Sequence, residues 1–413
     1  MIDAGPSENA QGNSSGRVHV LGAGPVGLLA SALLQPLDGL SVRLYEKRGE
    51  YTRTRMVQLA PYLVADSLEA YRADHHDGDN VEAVFDAGEL AEALAYRQSM
   101  PSDVMELLRT WTQGFCPLNE IERSLSDLID SRSSDSVARI EADVSAEDAI
   151  AMLEPGDVVI DCTGTRSLFR DRLDPGSDAV DGGANTQTLV VEHALVITFL
   201  YSQTYACNEH CKYYKNVENA NYKFIPMVHR VCYDGSVTHV TGIVTITPEE
   251  YESMPKRFDG DWVRENFPAV AQSMDRFIDK IKQETQGEIV SDLEIIRIPL
   301  KLYRARNATS QARSMAGPND DSFEGTPVFL LGDSAIGSPY FQSISLGFEC
   351  AMFLAGLITQ RRLATGDALE RYESYMYKQW MRVYMQSKLI KNNKELFQYL
   401  DDPTGLLDRL HIY

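Results

Sequence analysis

Cysteine is scarce in this chain, six in 413 residues, which leaves little material for a disulfide framework. Basic charge is short as well. Lysine and arginine total 39 against 60 aspartates and glutamates, for a net charge of −21 and a pI near 4.8. Nucleic acid and anionic membranes are repelled by such a surface, so neither is expected as a partner. No apolar run reads as long enough to span a bilayer. Residues 1–16 lack the basic start and apolar centre of a signal peptide. They read as a disordered tail on a cytoplasmic protein. Zinc-ligand residue types do occur, as Cys207, His210, Cys211, His229 and Cys232, but their spacing fits no standard finger. Buried thiols in a sheet are expected there, and no metal.

What the chain does contain is ordinary globular composition, 44% hydrophobic and 24% charged, at a length that implies two domains. Its densest signal lies in residues 17–48. A short apolar, β-rich run at 18–21 enters Gly22-Ala23-Gly24-Pro25-Val26-Gly27, which fits G-x-G-x-x-G. Pro25 suits a first helical turn, where its missing N–H costs nothing. Val26, Leu29, Ala30 and Leu33 then recur at helical spacing, and a second strand at 41–45 ends on Glu46. In this setting Gly22 makes the tight turn, Gly24 lets a pyrophosphate reach the backbone, and Gly27 lets helix and strand pack. Unpaired N–H groups at the helix start favour the anion, and Glu46 is placed to accept ribose hydroxyls. The basic knot that follows, Lys47, Arg48, Arg53 and Arg55, offers guanidinium forks to a phosphate or an adenine face.

Two further stretches end strands in the same way. Residues 157–161 form an apolar strand that runs into Cys162-Thr163-Gly164-Thr165-Arg166-Ser167 and Arg170. Residues 328–331 form another, ending at Gly332-Asp333. Then come the loop through Pro339, Tyr340 and Phe341 and an apolar helix from about Ser345. Ligands of open α/β sheets collect at such strand ends. Between them, residues 189–201, 222–233 and 236–247 are β-branched and aromatic, as in an antiparallel sheet. Residues 61–73, 119–131 and 262–285 read as helices, the second with Asn119 as N-cap and Glu122 completing a capping box. Leu369, Tyr372, Met376, Trp380 and Val383 mark the core face of a C-terminal helix.

In this order the three strand-end stretches resemble the flavoprotein monooxygenases of the para-hydroxybenzoate hydroxylase superfamily, the group A flavoprotein hydroxylases. The region around Glu46 to Leu59 is also similar to the MICAL-type hydroxylases. The resemblance implies an α/β fold: a Rossmann-like FAD/NAD(P)-binding domain, residues 17–187 and 324–366, with an inserted, mainly antiparallel substrate domain, 188–323, and C-terminal helices, 367–413. It implies FAD held by Gly22, Gly24, Pro25, Val26, Gly27, Glu46, Lys47, Arg48, Arg53, Thr163, Gly164, Gly332, Asp333 and the helix at Ser345. NAD(P)H is implied as a transient reductant. The implied reaction inserts oxygen, from a flavin C4a-hydroperoxide, into a small aromatic or electron-rich substrate. A monomer or homodimer is expected. Substrate-side candidates are Tyr222, Phe224, His229, Pro339, Tyr340 and Phe341; no catalytic base is identified. The chain departs from the family at Thr163, where the second motif has an aspartate tied to the pyrophosphate and to NADPH. It departs again at Ile336, in place of a histidine, and in the bulky run after Pro339. These departures leave an FAD oxidase or dehydrogenase, or a non-redox FAD-containing cyclase, as alternatives.

Overall fold

The computed structural model describes residues 16–53, 56–74, 84–132, 136–173, 185–202, 214–215, 223–228, 237–310, 326–339, 343–361 and 366–398. The chain opens as β1 (Arg17–Leu21), α1 (Pro25–Leu34) and β2 (Ser41–Glu46). There follow β3 (Met56–Gln58), a 3-10 turn (Pro61–Val64), α2 (Leu68–Asp74), α3 (Ala87–Gln98) and α4 (Ser102–Thr112). Next come β4 (Phe115–Pro117), α5 (Leu118–Ser131), β5 (Val137–Glu141), α6 (Ala146–Ala151) and β6 (Val158–Asp161). The middle of the chain holds β7 (Thr186–Tyr201), β8 (Tyr214–Lys215), β9 (Lys223–Val228), β10 (Thr238–Ile246) and α7 (Pro248–Ser253). It continues through β11 (Arg257–Phe258), α8 (Gly260–Asn266), α9 (Pro268–Thr285) and β12 (Glu294–Ala305). Last are β13 (Val328–Leu330), β14 (Ile336–Gly337), α10 (Ser343–Arg361) and α11 (Gly366–Gln398).

The result is mixed α/β, with one parallel sheet, one large antiparallel sheet and a two-stranded antiparallel pair, β3 with β4. The parallel sheet has the order β13-β6-β1-β2-β5, with every pairing parallel. Its central strands are buried on both faces, chiefly by apolar residues: Val18, Val20, Val158, Val159, Ile160 and Val328 to Leu330. Strands covered on both sides need that pattern, and α1 supplies cover by packing against α10 and α5. The antiparallel sheet runs β11-β12-β7-β10-β9-β8, and β14 joins it on β12. One face is sealed by α9, whose Val270, Met274, Phe277 and Ile281 meet Leu195, Ile197, Phe199 and Tyr201 of β7. Their helical spacing on one element and alternation on the other are what close such an interface.

The expected helix over 262–285 is two helices. Phe267 leaves helical geometry at φ −134°, ψ 63°, and Pro268 starts α9, because a proline ring disfavours helix in the residue before it. The expected helix over 61–73 is likewise a 3-10 turn and then α2. α5 begins one residue early, with Pro117 at the cap and no side-chain cap bond. Asn119 is therefore not the N-cap, and Glu122 forms no capping box. The expectation that no run could span a bilayer needs correction too. Residues 343–360 in α10 are long and apolar enough by composition, but 78% of that stretch is buried inside the fold. Cys207, His210, Cys211, His229 and Cys232 lie outside the described residues.

α11 is fastened to the rest by polar groups that have left water. The Tyr372 hydroxyl donates to Leu330 O at 2.9 Å, and Glu373 accepts from the N–H groups of Ala308 and Thr309 at 2.8 and 2.9 Å. Deeper, the Glu349 carboxylate of α10 accepts from Arg97 at 2.8 Å, Arg382 at 2.9 Å and the Tyr71 hydroxyl at 2.5 Å. All four side chains are buried. Removing one partner from such a cluster strands a charge without solvent, which costs about 3–5 kcal/mol.

Under the parallel sheet, His19 is held between Tyr45 Oη and Asp157 Oδ2, each at 3.1 Å. Burial, helped by Arg43 and Arg17, lowers the imidazole pKa below its ordinary 6.5 against the opposing pull of Asp157. The unfolded chain therefore binds the proton that the folded chain resists. Stability should be full above about pH 6.5 and fall as pH drops through the folded-state value. The Asp157 carboxyl, which burial would raise, is held below its ordinary 3.8 by the Glu154 N–H and His19, so a second loss follows in stronger acid. Urea midpoints measured from about pH 8 to pH 5 should decline for the wild type. They should be flatter for His19→Gln over the same range.

Candidate functional site

The three strand-end stretches are brought together by three pairwise contacts. The first joins the glycine turn to β6. Gly22 has φ +95°, and a Cβ there would lie 2.8 Å from Cys162 O. A Cβ on Gly27 would lie 2.0 Å from Gly22 O and 3.2 Å from the Cys162 side chain. Only glycine fits at either position. The second joins β6 to the Gly332 loop through Asp161, which is fully buried. Its Oδ1 accepts from Thr163 N at 2.9 Å, Thr163 Oγ1 at 2.6 Å and Ser334 Oγ at 3.2 Å. Its Oδ2 accepts from Ser167 Oγ at 2.6 Å and Phe169 N at 2.9 Å. The third returns to α1: Val26 packs under Gly332 and Gly347, where added Cβ atoms would sit 3.4 and 2.7 Å from its methyls.

Between these contacts lies a cleft of about 560 Å³. Of the residues expected to hold a cofactor, Gly22, Gly24, Pro25, Val26, Glu46, Lys47, Arg48, Arg53, Thr163, Gly164, Gly332 and Asp333 line it. Gly27 lies beneath the turn, as its packing role requires. Ser345 is the exception. α10 begins two residues earlier, so Ser343 and Ile344 line the cleft. Ser345 is buried instead, and its Oγ accepts from Ala60 N at 3.0 Å. Pro339 is buried and Phe224 lies in β9 opposite Val244. Tyr222, His229, Tyr340, Phe341 and Arg55 are outside the described residues.

At the N-terminus of α1, Gly24 is extended (φ −71°, ψ −179°), offers no side-chain cap, and is followed by Pro25 at N1. The helix thus leaves backbone donors facing the cleft, the arrangement that favours an anion. A Cβ at Gly24 would meet nothing nearer than the Arg53 guanidinium, at 3.5 Å. Lys47, Arg48, Arg53 and Arg166 line the same space against Glu46, Asp143 and Asp333, so the cleft is locally cationic in a strongly acidic protein. Glu46 is already engaged: Arg48 Nε and Nη2 reach its two oxygens at 2.9 and 3.1 Å. Burial would raise the Glu46 pKa, but the Arg48 hydrogen bonds leave it lowered. Its charge is thereby secured.

Thr163 cannot do what an aspartate would do there. Its hydroxyl donates to Asp161 and accepts from Leu168 N at 3.2 Å. The carboxylate stands two residues earlier and faces inward. The Asp333 loop is braced from its other side, where Tyr303 Oη donates to Asp333 O at 2.7 Å and Arg170 Nη1 reaches Asp333 O and Ser334 O at 3.4 and 3.3 Å. Sequence reasoning gave no role to Asp161, which opens the second strand-end motif, to Ser334 or to Tyr303. Ser334, directly after Gly332-Asp333, was the available signal for the first two.

No family model and no curated protein matches this sequence. Solved structures share its fold. The flavin-dependent brominase Bmp2 aligns with a TM-score of 0.51 and 15% identity over 95% of this chain and 91% of its own. The Diels-Alderase PyrE3 of the pyrroindomycin pathway aligns with 0.50 and 15% over 95% and 79%. The flavin-dependent halogenase CmlS gives 0.51 and 15% over 94% of this chain, which spans 66% of the length of CmlS. The shared fold is one that flavin-dependent enzymes use.

Gly24 and Gly27 separate ligand from fold. Gly27→Ala should lower stability by about 1–3 kcal/mol through the backbone clash, read as a lower unfolding midpoint. Gly24→Val should lower that midpoint by no more than about 1 kcal/mol, the worth of glycine over valine at a helix N-cap, yet keep a dinucleotide such as FAD from binding, measured by titrating ligand-free protein.

Proposed function

We propose that the protein is an FAD-dependent monooxygenase that hydroxylates a small aromatic or electron-rich molecule, with NAD(P)H as a transient reductant. The observation that carries the cofactor is the Gly24 cradle: an uncapped helix start, a missing side chain and flanking guanidinium groups at one end of a cleft closed by Asp333 at the other. In this reading Gly22 to Gly27 and Arg53 hold the pyrophosphate, Glu46 the adenosine ribose, and Asp333 the ribityl chain. FAD, when bound, supplies the electron acceptance and oxygen activation that side chains lack. The chain's own contribution is to orient it, to exclude water, and to present the first turn of α10 at Ser343 and Ile344 as hydrogen-bond donors. The substrate is assigned to the β7–β12 region, residues 188–323, where the sheet face turned away from α9 carries Ala194, Ile243 and Leu300 beside Val196 and Ile298 and suits an apolar molecule.

One observation favours a second reading. Thr163 is committed to Asp161, so no carboxylate stands at the position that the resemblance ties to NADPH. PyrE3, among the structures that share the fold, is a Diels-Alderase. An FAD oxidase or dehydrogenase, or a cyclase with FAD as a prop, is therefore the alternative.

The purified protein should be yellow, and Asp333→Ala should weaken FAD binding about tenfold or more. Anaerobic mixing with NADPH should bleach the flavin, and air should restore it with consumption of oxygen. Bleaching by an organic substrate without NADPH would favour the oxidase or dehydrogenase. A redox-silent flavin would favour the cyclase, and a colourless protein that takes up no FAD would end the assignment.

A further inference from the structure

Arg53 and Glu122 form an ion pair at the edge of the cleft, Nη2 to Oε1. The two partners are not equivalent. The Arg53 side chain is 42% exposed, whereas that of Glu122 is 0% exposed. Among the described residues Glu122 Oε2 has no hydrogen-bond partner, and neither has the buried Oδ1 of Asn119 one turn earlier on α5. Arg53 could be solvated in any direction. Glu122 cannot, and a carboxylate sealed from water needs its counter-charge. The pair therefore holds the arginine where the glutamate is. The backbone ties the same two elements, since Asn119 N donates to Arg53 O at 2.8 Å.

That place is next to the phosphate turn, the guanidinium standing 3.5 Å from where a Gly24 Cβ would be. With Nη2 engaged, the other guanidinium N–H groups have no hydrogen bond among the described residues. A guanidinium has five donors in a rigid plane, and fixing one edge orients the rest.

We propose that Glu122 is a positioning residue. It locks the Arg53 fork over the α1 N-terminus, so that a diphosphate meets a pre-oriented guanidinium. The inference rests on the FAD reading and adds to it a residue that touches no cofactor. Locking the fork beforehand removes the ordering cost that a free arginine would bring to binding.

A double-mutant cycle on flavin-stripped full-length protein tests it, with FAD affinity as the readout. Glu122→Gln should weaken FAD about tenfold, the worth of one charge-assisted bond. In an Arg53→Gln background the same change should cost less than about twofold. Riboflavin, which has no phosphate, should bind all four proteins alike. A glutamate that merely supports the fold would lower the unfolding midpoint and give equal FAD losses in both backgrounds. That result overturns the proposal, as does an unchanged affinity in the single variant. Should Glu122→Gln not fold, Arg53→Lys carries the test, because lysine keeps the charge beside Glu122 without the fork. It should weaken FAD about tenfold, and undiminished affinity would overturn the proposal. Wild-type protein that takes up no FAD would bring down the cofactor reading and this inference together; FAD binding that the variants leave unmoved would bring down this inference alone.

Discussion

A carboxylate in a protein interior is costly unless donors meet its lone pairs, and Asp161 finds five. Four come from the residues that follow it and fold the turn after β6. The fifth, from Ser334, reaches across to the loop after β13. Because β6 lies between β1 and β13, this acid sets the height at which both neighbouring turns emerge above the sheet. The glycine turn is pressed on Cys162 from one side and the Asp333 loop is hung from Ser334 on the other. The cleft is the gap that remains.

The same logic recurs at larger scale in how the two sheets are joined. β14 is two residues long and pairs with β12 at Tyr303 and Arg304, directly after the loop that carries Asp333. Tyr303 also donates to that loop and packs under the Arg170 guanidinium, 5.4 Å from its ring centre. Gly337 tolerates this closeness because any Cβ would lie 2.0 Å from the Tyr303 ring. The cleft and the antiparallel sheet thus share a rigid seam, and a displacement of one is felt by the other.

Much of the site was legible because its signals are local. A glycine turn between an apolar strand and a helix, or a Gly-Asp at a strand end, is written in ten consecutive residues. Their mutual placement was legible only through the resemblance. What escaped depends on contacts distant in sequence. Glu122 fits a capping box by spacing, yet its carboxylate goes to Arg53, 69 residues away. Asp161 reads as the last residue of a strand, and nothing nearby announces a partner 173 residues on. The start of α10 was misplaced by two residues because serine at 343 and at 345 serves equally well as a boundary in sequence. The break at Pro268 was written plainly and lost under the strong helical period around it.

The edge strand β13 is made from residues 328–330, long after its neighbour β6 at 158–161. During synthesis on the ribosome, β6 therefore waits with one side unpaired while some 170 residues are added. Contacts of such sequence separation form late and slowly, and Asp161 meanwhile lacks the hydroxyl that completes its shell. A nascent chain interrupted inside the antiparallel sheet carries an open, apolar strand edge, the kind of surface that chaperones and aggregation compete for.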